Sequence, residues 1–174
     1  LTFSSFAMPL FMLLSGYIVV TQLRNTFLGY LKEYALRLIL PFFVWAVVSY
    51  VIFQLNPDPR IPDEFAKMNL PAFLVFLAKY PGYGLWFLWA LFLCSVFFFA
   101  VLKFIQARNV SRWENHIIIA SIVLSRLANT DVFGLNEFKT YYTYYAIGYF
   151  VFKYYDTVKA HRKIFYALGV IIFP

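Results

Sequence analysis

AMPLFMLLSGYIVV, residues Ala7–Val20, decides the fold class of this chain. The stretch has the length of an apolar helix, with a proline near its start and a small polar pair, Ser15 and Gly16, in its second half. No charged residue occurs between positions 1 and 20, and about 20 apolar residues are what a helix needs to cross the hydrocarbon core of a bilayer. The stretch therefore predicts a transmembrane helix.

The composition extends this prediction to the whole chain. Hydrophobic residues make up 63%, charged residues only 13%, and the mean hydropathy is +0.71, so the apolar surface exceeds what a soluble core of 174 residues can bury. We predict an all-α, polytopic transmembrane helix bundle. The net charge of +7 is spread over short clusters between apolar runs, which argues against a nucleic-acid partner and for membrane lipid.

Apolar runs separated by polar loops predict about five complete spans and a truncated sixth. The predicted spans are Leu1–Val20, Leu38–Leu55, Leu85–Ile105, Trp113–Ala128 and Phe138–Tyr155, with the sixth starting near Ile164. Between the first two spans, Thr21–Arg37 has helical apolar spacing that suits a helix lying in the interface. The proline-rich connection Asn56–Gly84 contains Leu70–Lys79, an apolar segment too short to span.

The distribution of Lys and Arg predicts the orientation of these spans, because basic residues in short loops are retained in the cytoplasm. The loops after the first, third and fifth spans hold ten basic residues: Arg24, Lys32, Arg37, Lys103, Arg108, Arg112, Lys153, Lys159, Arg162 and Lys163. The alternate loops hold five basic and five acidic residues, so they are neutral. We therefore expect the amino end outside, which implies a preceding span wherever the true N-terminus is cytoplasmic.

Four stretches in order carry a resemblance to a known family. Phe6–Tyr17, FAMPLFMLLSGY, resembles the second-span signature of membrane acyltransferase family 3, and Lys32–Trp45, KEYALRLILPFFVW, resembles the basic segment that follows it. Leu85–Phe92, LWFLWALF, resembles the Trp-Phe-Leu entry to a later span, and Tyr142–Lys153, YTYYAIGYFVFK, resembles the Gly-Tyr span after that. The match is best to the branch of fucose 4-O-acetylase-like and exopolysaccharide O-acetyltransferases.

This resemblance implies a fold of about ten spans, of which residues 1–174 would form one partial transmembrane acyltransferase-like domain without the first and the C-terminal spans. It implies transfer of an acetyl or similar group from acetyl-CoA or another acyl-CoA to a carbohydrate hydroxyl, without a metal, in a bacterial inner membrane. The catalytic histidine of the family would lie upstream of residue 1, so the fragment alone should be inactive. The sequence does not identify the acceptor sugar or the oligomeric state.

Candidate binding residues follow from position and from chemistry. Gly16 allows close helix approach and Ser15 can donate a hydrogen bond, so the pair is either a packing notch or, with Trp86, part of the site. Arg37 could hold a coenzyme A phosphate or be an ordinary interfacial arginine that fixes topology. Arg126 could face a polar cavity or extend to the interface from the short fourth span.

Other reactive side chains are not assigned to catalysis. His116 and His161 lie near basic residues at the predicted cytoplasmic surface, and the single Cys94 lies in an apolar run without metal-ligand spacing. The five tyrosines of the fifth span predict aromatic packing first and sugar stacking second. The alternative function is a transporter or flippase of lipid-linked sugars, which would also use helix breaks and intramembrane charge.

Overall fold

The computed structural model describes residues 3–55, 68–81, 85–127 and 132–160. Within these ranges every regular element is helical. The seven α-helices are α1 (Phe3–Ile18), α2 (Phe27–Leu55), α3 (Leu70–Lys79), α4 (Trp86–Ala107), α5 (Glu114–Ser125), α6 (Leu135–Lys153) and α7 (Tyr155–Ala160). Short 3₁₀ turns occupy Val19–Gln22, Ser111–Trp113 and Val132–Gly134. The predicted sixth span lies outside the described residues.

Helix α2 differs from the sequence prediction of an interfacial helix followed by a separate span. Thr26 caps its first turn by accepting a hydrogen bond from the Gly29 N–H at 3.2 Å, and the helix then continues to Leu55 without a break. Pro41, expected in the first turn of a span, lies inside this helix and has no N–H to donate to the carbonyl of Arg37. A π-helical turn, Ala35–Ile39, precedes the proline and absorbs the irregularity.

The π turn aligns the two halves of α2. In a regular α-helix, the twelve residues from Tyr30 to Phe42 would leave their side chains roughly 120° apart at about 100° per residue. One extra residue in a π turn removes about 100° of that difference, so both side chains face α4. Tyr30 accordingly stacks on Phe99, with ring centroids 3.8 Å apart, and Phe42 packs on Trp89 at 5.2 Å.

Helix α3 confirms the short apolar segment predicted inside the long connection, with the same boundaries. Asn69 caps its first turn by accepting a hydrogen bond from the Ala72 N–H at 3.0 Å. Its buried face, Phe73 and Leu77, packs on Phe42 and Ala46 of α2. A ten-residue helix rises about 15 Å, half the thickness of a hydrocarbon core, so α3 supports α2 and does not span.

Helix directions alternate along the chain. Helices α1, α4 and α6 run one way and α2 and α5 run the other. Helices α1 and α4 are parallel, as the pairs Phe11–Phe87 and Leu23–Lys103 show, whereas α2 and α4 are antiparallel, as Tyr30–Phe99 and Phe42–Trp89 show. Helix α6 is parallel to α4, with the pairs Phe133–Trp89 and Tyr149–Phe98, and antiparallel to α5, with the pairs Tyr142–Ser121 and Lys153–Glu114. The alternation collects Arg24, Lys103, Arg108, Arg112 and Lys153 at one end, here called the basic end, as the loop charges predicted. Arg37, predicted in the same set of loops, lies instead inside α2.

Two of the described helices, α2 and α4, are long and apolar enough to cross a bilayer. Helix α1 is apolar but has 16 residues, α5 has 12, and α6 is rich in tyrosine. The twelve residues of α5 rise about 18 Å, well short of the roughly 30 Å of a hydrocarbon core. The structure therefore shows an all-α bundle with two candidate spans.

Candidate functional site

A cavity of about 340 Å³ opens at the end of the bundle opposite the basic end. Its lining combines two aromatic rings with three polar side chains: Trp86, Tyr141, Asn136, Glu137 and Thr140. The indole of Trp86 and the phenol of Tyr141 stack with centroids 5.5 Å apart and planes inclined by 29°. We call it the Trp86 cavity.

Helix periodicity explains why these polar residues share one wall. Asn136, Glu137, Thr140 and Tyr141 occupy positions i, i+1, i+4 and i+5 of α6, and such positions lie on one helix face. Trp86 is the first residue of α4, so its ring projects from the end of the neighbouring helix. The cavity thus arises where two parallel helices begin side by side.

A tight turn ahead of α6 fixes the two helix ends relative to each other. Phe133 and Gly134 both have left-handed backbone conformations, with φ of 57° and 67°. A side chain at 134 would meet Pro81 and Trp89 at 3.0 Å, so the close approach and the backbone both favour glycine. The Trp89 Nε1–H donates to the Phe133 carbonyl at 3.0 Å. These contacts fix the start of α6, which forms the polar wall of the Trp86 cavity, against α4.

Chemically, the cavity can bind a small ring that carries hydroxyl groups. The flat faces of the two aromatic residues offer apolar contact to the C–H face of such a ring. Glu137, Asn136 and Thr140 supply acceptors, and the Asn136 amide supplies donors, since the Thr140 hydroxyl already donates to the Asn136 backbone carbonyl at 2.9 Å. With three polar side chains among five, the lining is more polar than that of most small-ligand sites, which suits a ligand rich in hydroxyl groups.

Ser15 and Gly16 lie one helix away, at the crossing of α1 and α6. The Ser15 hydroxyl donates to the Phe11 carbonyl within its own helix at 2.9 Å. A Cβ at Gly16 would stand 1.9 Å from the Tyr145 carbonyl oxygen, and a Cβ at Gly148 would stand 1.9 Å from the Leu13 carbonyl oxygen. The geometry accounts for Gly16 as a close helix contact; its role in binding stays a prediction.

Arg126 follows the last residue of α5 and contacts a different face of α6. Its guanidinium donates to the Thr143 hydroxyl at 2.8 Å. Thr143 is two residues from Tyr141, so the two side chains leave α6 roughly 200° apart. The structure therefore does not bring Arg126 and Trp86 to one cavity, and Arg126 is an exposed arginine bound to a neighbouring helix.

Arg37 lies in the π turn of α2. It pairs with Glu33 at 2.7 Å, one turn earlier, and its side chain is 65% exposed. A pair this exposed leaves the guanidinium accessible and contributes little to stability. From Tyr30, which contacts α4 near the basic end, Arg37 lies about 10 Å along the helix towards the end that carries Trp86.

A family model described as an acyltransferase domain matches residues 1–174. The chain belongs to acyltransferase family 3. No curated protein and no solved structure matches it. Together with its two apolar helices, the family identifies the chain as a membrane protein of the acyltransferase class.

In this acyltransferase the Trp86 cavity holds no histidine among the residues that the structure describes. His116 is exposed at the start of α5, near the basic end, and its ring contacts Trp113 with centroids 5.4 Å apart. His161 lies outside the described part of the chain. His116 is therefore at the wrong end of the bundle to serve as a base in the cavity.

Sequence reasoning on this acyltransferase missed most of the polar wall. Glu137 was counted only as one of the five acidic residues of the neutral loops, and Asn136 and Thr140 were not singled out. The spacing of Asn136, Glu137, Thr140 and Tyr141 was the available signal, because it places polar and aromatic groups on one face at the start of a helix.

Of the five tyrosines predicted to pack, Tyr142, Tyr145 and Tyr149 are buried, whereas Tyr141 and Tyr144 are half-buried.

Proposed function

We propose that the protein is an integral-membrane O-acyltransferase that moves an acetyl or similar acyl group from an acyl-CoA to a carbohydrate hydroxyl of an exopolysaccharide or another cell-surface glycan. The observation that carries the acceptor class is the Trp86 cavity, with stacked aromatic rings beside a carboxylate, an amide and a hydroxyl. Family membership supports acyl transfer. The carbohydrate is inferred from the chemistry of the cavity.

In the proposed reaction the acceptor hydroxyl oxygen attacks the thioester carbonyl carbon. A base takes the hydroxyl proton, the tetrahedral oxyanion collapses, and coenzyme A leaves as the thiol after protonation. Trp86 and Tyr141 hold the sugar ring, while Glu137 and Asn136 orient its hydroxyl groups. Binding in one orientation is itself a large part of the rate enhancement, because it places the attacking oxygen.

We assign the donor phosphates to Arg37. An arginine can bind two phosphate oxygens through parallel N–H groups, and the exposure of Arg37 leaves its guanidinium free to exchange Glu33 for a phosphate. The basic end attracts the anionic donor by its summed charge. Ser15 and Arg126 remain candidate contacts of the site, although neither lines the Trp86 cavity.

By family resemblance we assign the base to a histidine upstream of residue 1, and we propose that residues 1–174 alone do not catalyse the reaction. The position of His116 at the basic end supports this assignment. We also propose about five spans and a truncated sixth, of which the fourth comprises α5 and the turns on either side of it, with the basic end facing the cytoplasm of a bacterial inner membrane. The alternation of helix directions and the clustering of basic residues support that topology.

Trp86→Ala tests the acceptor site. We expect membranes that contain the full-length variant to transfer about tenfold less label from radiolabelled acetyl-CoA to the alkali-labile carbohydrate fraction than membranes that contain the full-length wild type. The loss of an aromatic stacking partner, about 1.4 kcal/mol, corresponds to that factor. Trp45→Ala is the matched control, because Trp45 is half-exposed on α2 and lies outside the cavity.

Equal labelling by the Trp86→Ala variant and the wild type would show that the Trp86 cavity does not bind the acceptor. If wild-type membranes label no carbohydrate but move a lipid-linked sugar across the bilayer, the transporter alternative replaces the acyltransferase.

Arg37→Ala tests the donor site. We expect the KM for acetyl-CoA to rise about tenfold with protein abundance in the membrane unchanged, because a charge-assisted hydrogen bond to phosphate is lost. Arg24→Ala is the control, since Arg24 is an exposed arginine at the basic end. An unchanged KM in the Arg37→Ala variant would leave Arg37 as an interfacial arginine only.

A further inference from the structure

A second, larger cavity lies at the basic end, between the last turns of α4 and the exposed side of α5. It has a volume of about 650 Å³ and a mainly apolar wall formed by Phe104, Val110, Ile117 and Ala120. Phe104 is 52% exposed, although it belongs to a helix apolar enough to span a bilayer. We call this cavity the α4–α5 groove.

The end of α4 shapes the groove. Asn109 adopts the left-handed conformation, with φ of 53°, and the Val110 N–H donates to the Ile105 carbonyl at 3.2 Å. This is the pattern of a Schellman helix end, in which asparagine can replace glycine. The turn directs Val110 back towards the core and brings the following 3₁₀ turn alongside the end of α4. The groove is therefore a fixed consequence of how α4 ends.

The rim of the groove carries positive charge and amphipathic rings. Arg108 lies over the Phe104 ring, 5.8 Å from its centroid, and Trp113 and His116 line the same opening. Arg112 is exposed in the adjacent turn. Of the described residues that line the groove, none is acidic.

The carboxylate of α5, Glu114, is held away from the groove. Glu114 accepts a hydrogen bond from the Tyr149 hydroxyl and pairs with Lys153 at 3.0 Å, both on α6. Lys153 also donates to Asn115 at 2.8 Å. His116 follows Glu114 by two residues, so their side chains leave α5 roughly 200° apart. The charge of Glu114 is thus neutralised on the α6 side, and the groove keeps its positive rim.

We propose that the α4–α5 groove binds one anionic phospholipid of the surrounding membrane, with an acyl chain along the apolar wall and the phosphate at Arg108. An apolar wall joined to a basic rim complements a molecule that has an apolar chain and an anionic headgroup, and basic pockets between membrane helices bind such headgroups. Trp113 suits the level of the headgroups, where amphipathic rings concentrate. The site is separate from the Trp86 cavity and from Arg37.

The test uses the intact protein purified in mild detergent and mixed with equal amounts of phosphatidylglycerol and phosphatidylcholine. Native mass spectrometry counts the lipid molecules that remain bound. We expect one retained phosphatidylglycerol and a roughly fivefold loss of that species in Arg108→Gln, the factor that one basic residue near a charged surface provides. Arg24→Gln, an exposed arginine at the same end, should retain the wild-type level.

A second pair of variants tests the apolar wall. Ala120→Trp fills the groove and should abolish retention, whereas Val123→Trp, exposed on the same helix but outside the lining, should not.

Equal retention of the two lipids, or equal losses in Arg108→Gln and Arg24→Gln, would overturn the proposal. Displacement of the lipid by coenzyme A would assign the groove to the donor instead. Loss of a dimer in Ala120→Trp would assign it to a second copy of the chain. A lower unfolding temperature of that variant, with no change in lipid retention, would show that a segment of the chain fills the groove. Each of these outcomes excludes the phospholipid.

Discussion

Gly16→Ala is expected to lower the free energy of unfolding by about 3 kcal/mol, the upper end of the usual cost of overpacking. The added Cβ would stand 1.9 Å from the Tyr145 carbonyl oxygen, an atom of a helix backbone that cannot rotate away. Helices α1 and α6 would have to separate by roughly 1.5 Å to restore normal contact. A gap of this size forfeits much of the dispersion energy along the crossing, and within a membrane that packing is the main attraction between helices.

Gly148→Ala should cost about as much, since its Cβ would stand 1.9 Å from the Leu13 carbonyl oxygen at the same crossing. The double variant should cost less than the sum of the two single variants, because one separation of the helices relieves both clashes. The measurement is the thermal unfolding of detergent-purified protein, with size-exclusion chromatography used to quantify the protein that stays folded after heating.

Gly29→Ala is the control for these glycine variants. Its Cβ would meet the Thr26 hydroxyl oxygen at 3.0 Å, the end of a side chain that can rotate. The loss of the Thr26 cap, about 1 kcal/mol, is offset by the better helix propensity of alanine, also about 1 kcal/mol. We expect no net change. If Gly16→Ala unfolds at the same temperature as Gly29→Ala, the close crossing of α1 and α6 is wrong.

Tyr30→Ala is expected to destabilise the protein by about 3 kcal/mol, in the range found when a large buried side chain is removed. Tyr30 is fully buried, and its ring stacks on Phe99 at 3.8 Å and on Tyr34 at 4.2 Å between centroids. Truncation leaves a cavity between α2 and α4, at the contact that fixes the first half of α2 in the bundle.

Two control variants test whether the loss of stability comes from the buried ring of Tyr30. Leu28 lies on the same helix but is 75% exposed, so the free energy of unfolding of Leu28→Ala should be within about 0.5 kcal/mol of that of the wild type. Tyr30→Phe keeps both stacked rings and removes a hydroxyl that is buried without a hydrogen-bond partner among the described residues, so it should not destabilise the protein. A Tyr30→Ala protein as stable as Leu28→Ala would mean that the first half of α2 does not pack on α4. Thermal unfolding in detergent measures all three.

The sequence predicted those parts of the fold that depend on local pattern. The boundaries of the short helix Leu70–Lys79 followed from its apolar residues inside a proline-rich connection, and alternating loop charge predicted the order of helix directions that the contacts show. Family membership could be predicted from four ordered stretches that include Ser15-Gly16 and the Trp-Phe-Leu at residues 86–88.

What the sequence did not predict depends on irregular backbone or on pairing between distant helices. The sequence predicted an interfacial helix over Thr21–Arg37 and a separate span from Leu38, whereas the structure has one helix, Phe27–Leu55, because the π turn at Ala35–Ile39 lets the helix pass Pro41. Gly148 is as crowded as Gly16, but its partner on α1 is 135 residues away in sequence, and no local pattern reports it.

The candidate site was predicted only in part for a similar reason. Trp86 was chosen from its motif, whereas the polar wall of its cavity belongs to α6 and becomes part of a site only when α6 begins beside α4. Arg126 and Arg37 were chosen as charges near membrane helices. Their positions in the bundle depend on which helix face each occupies, and loop charge carries no such information.

The π turn of α2 also has its length fixed by the proline that follows it. It holds one residue more than an α-helix needs to keep Tyr30 and Phe42 facing α4. Deleting an exposed residue of the turn, such as Leu36, would keep both aromatic contacts in phase, but it would set the Pro41 ring against the carbonyl four residues earlier, a clash that costs about 3 kcal/mol in a regular helix. A single-codon deletion that the aromatic contacts alone would accept is therefore excluded by the proline.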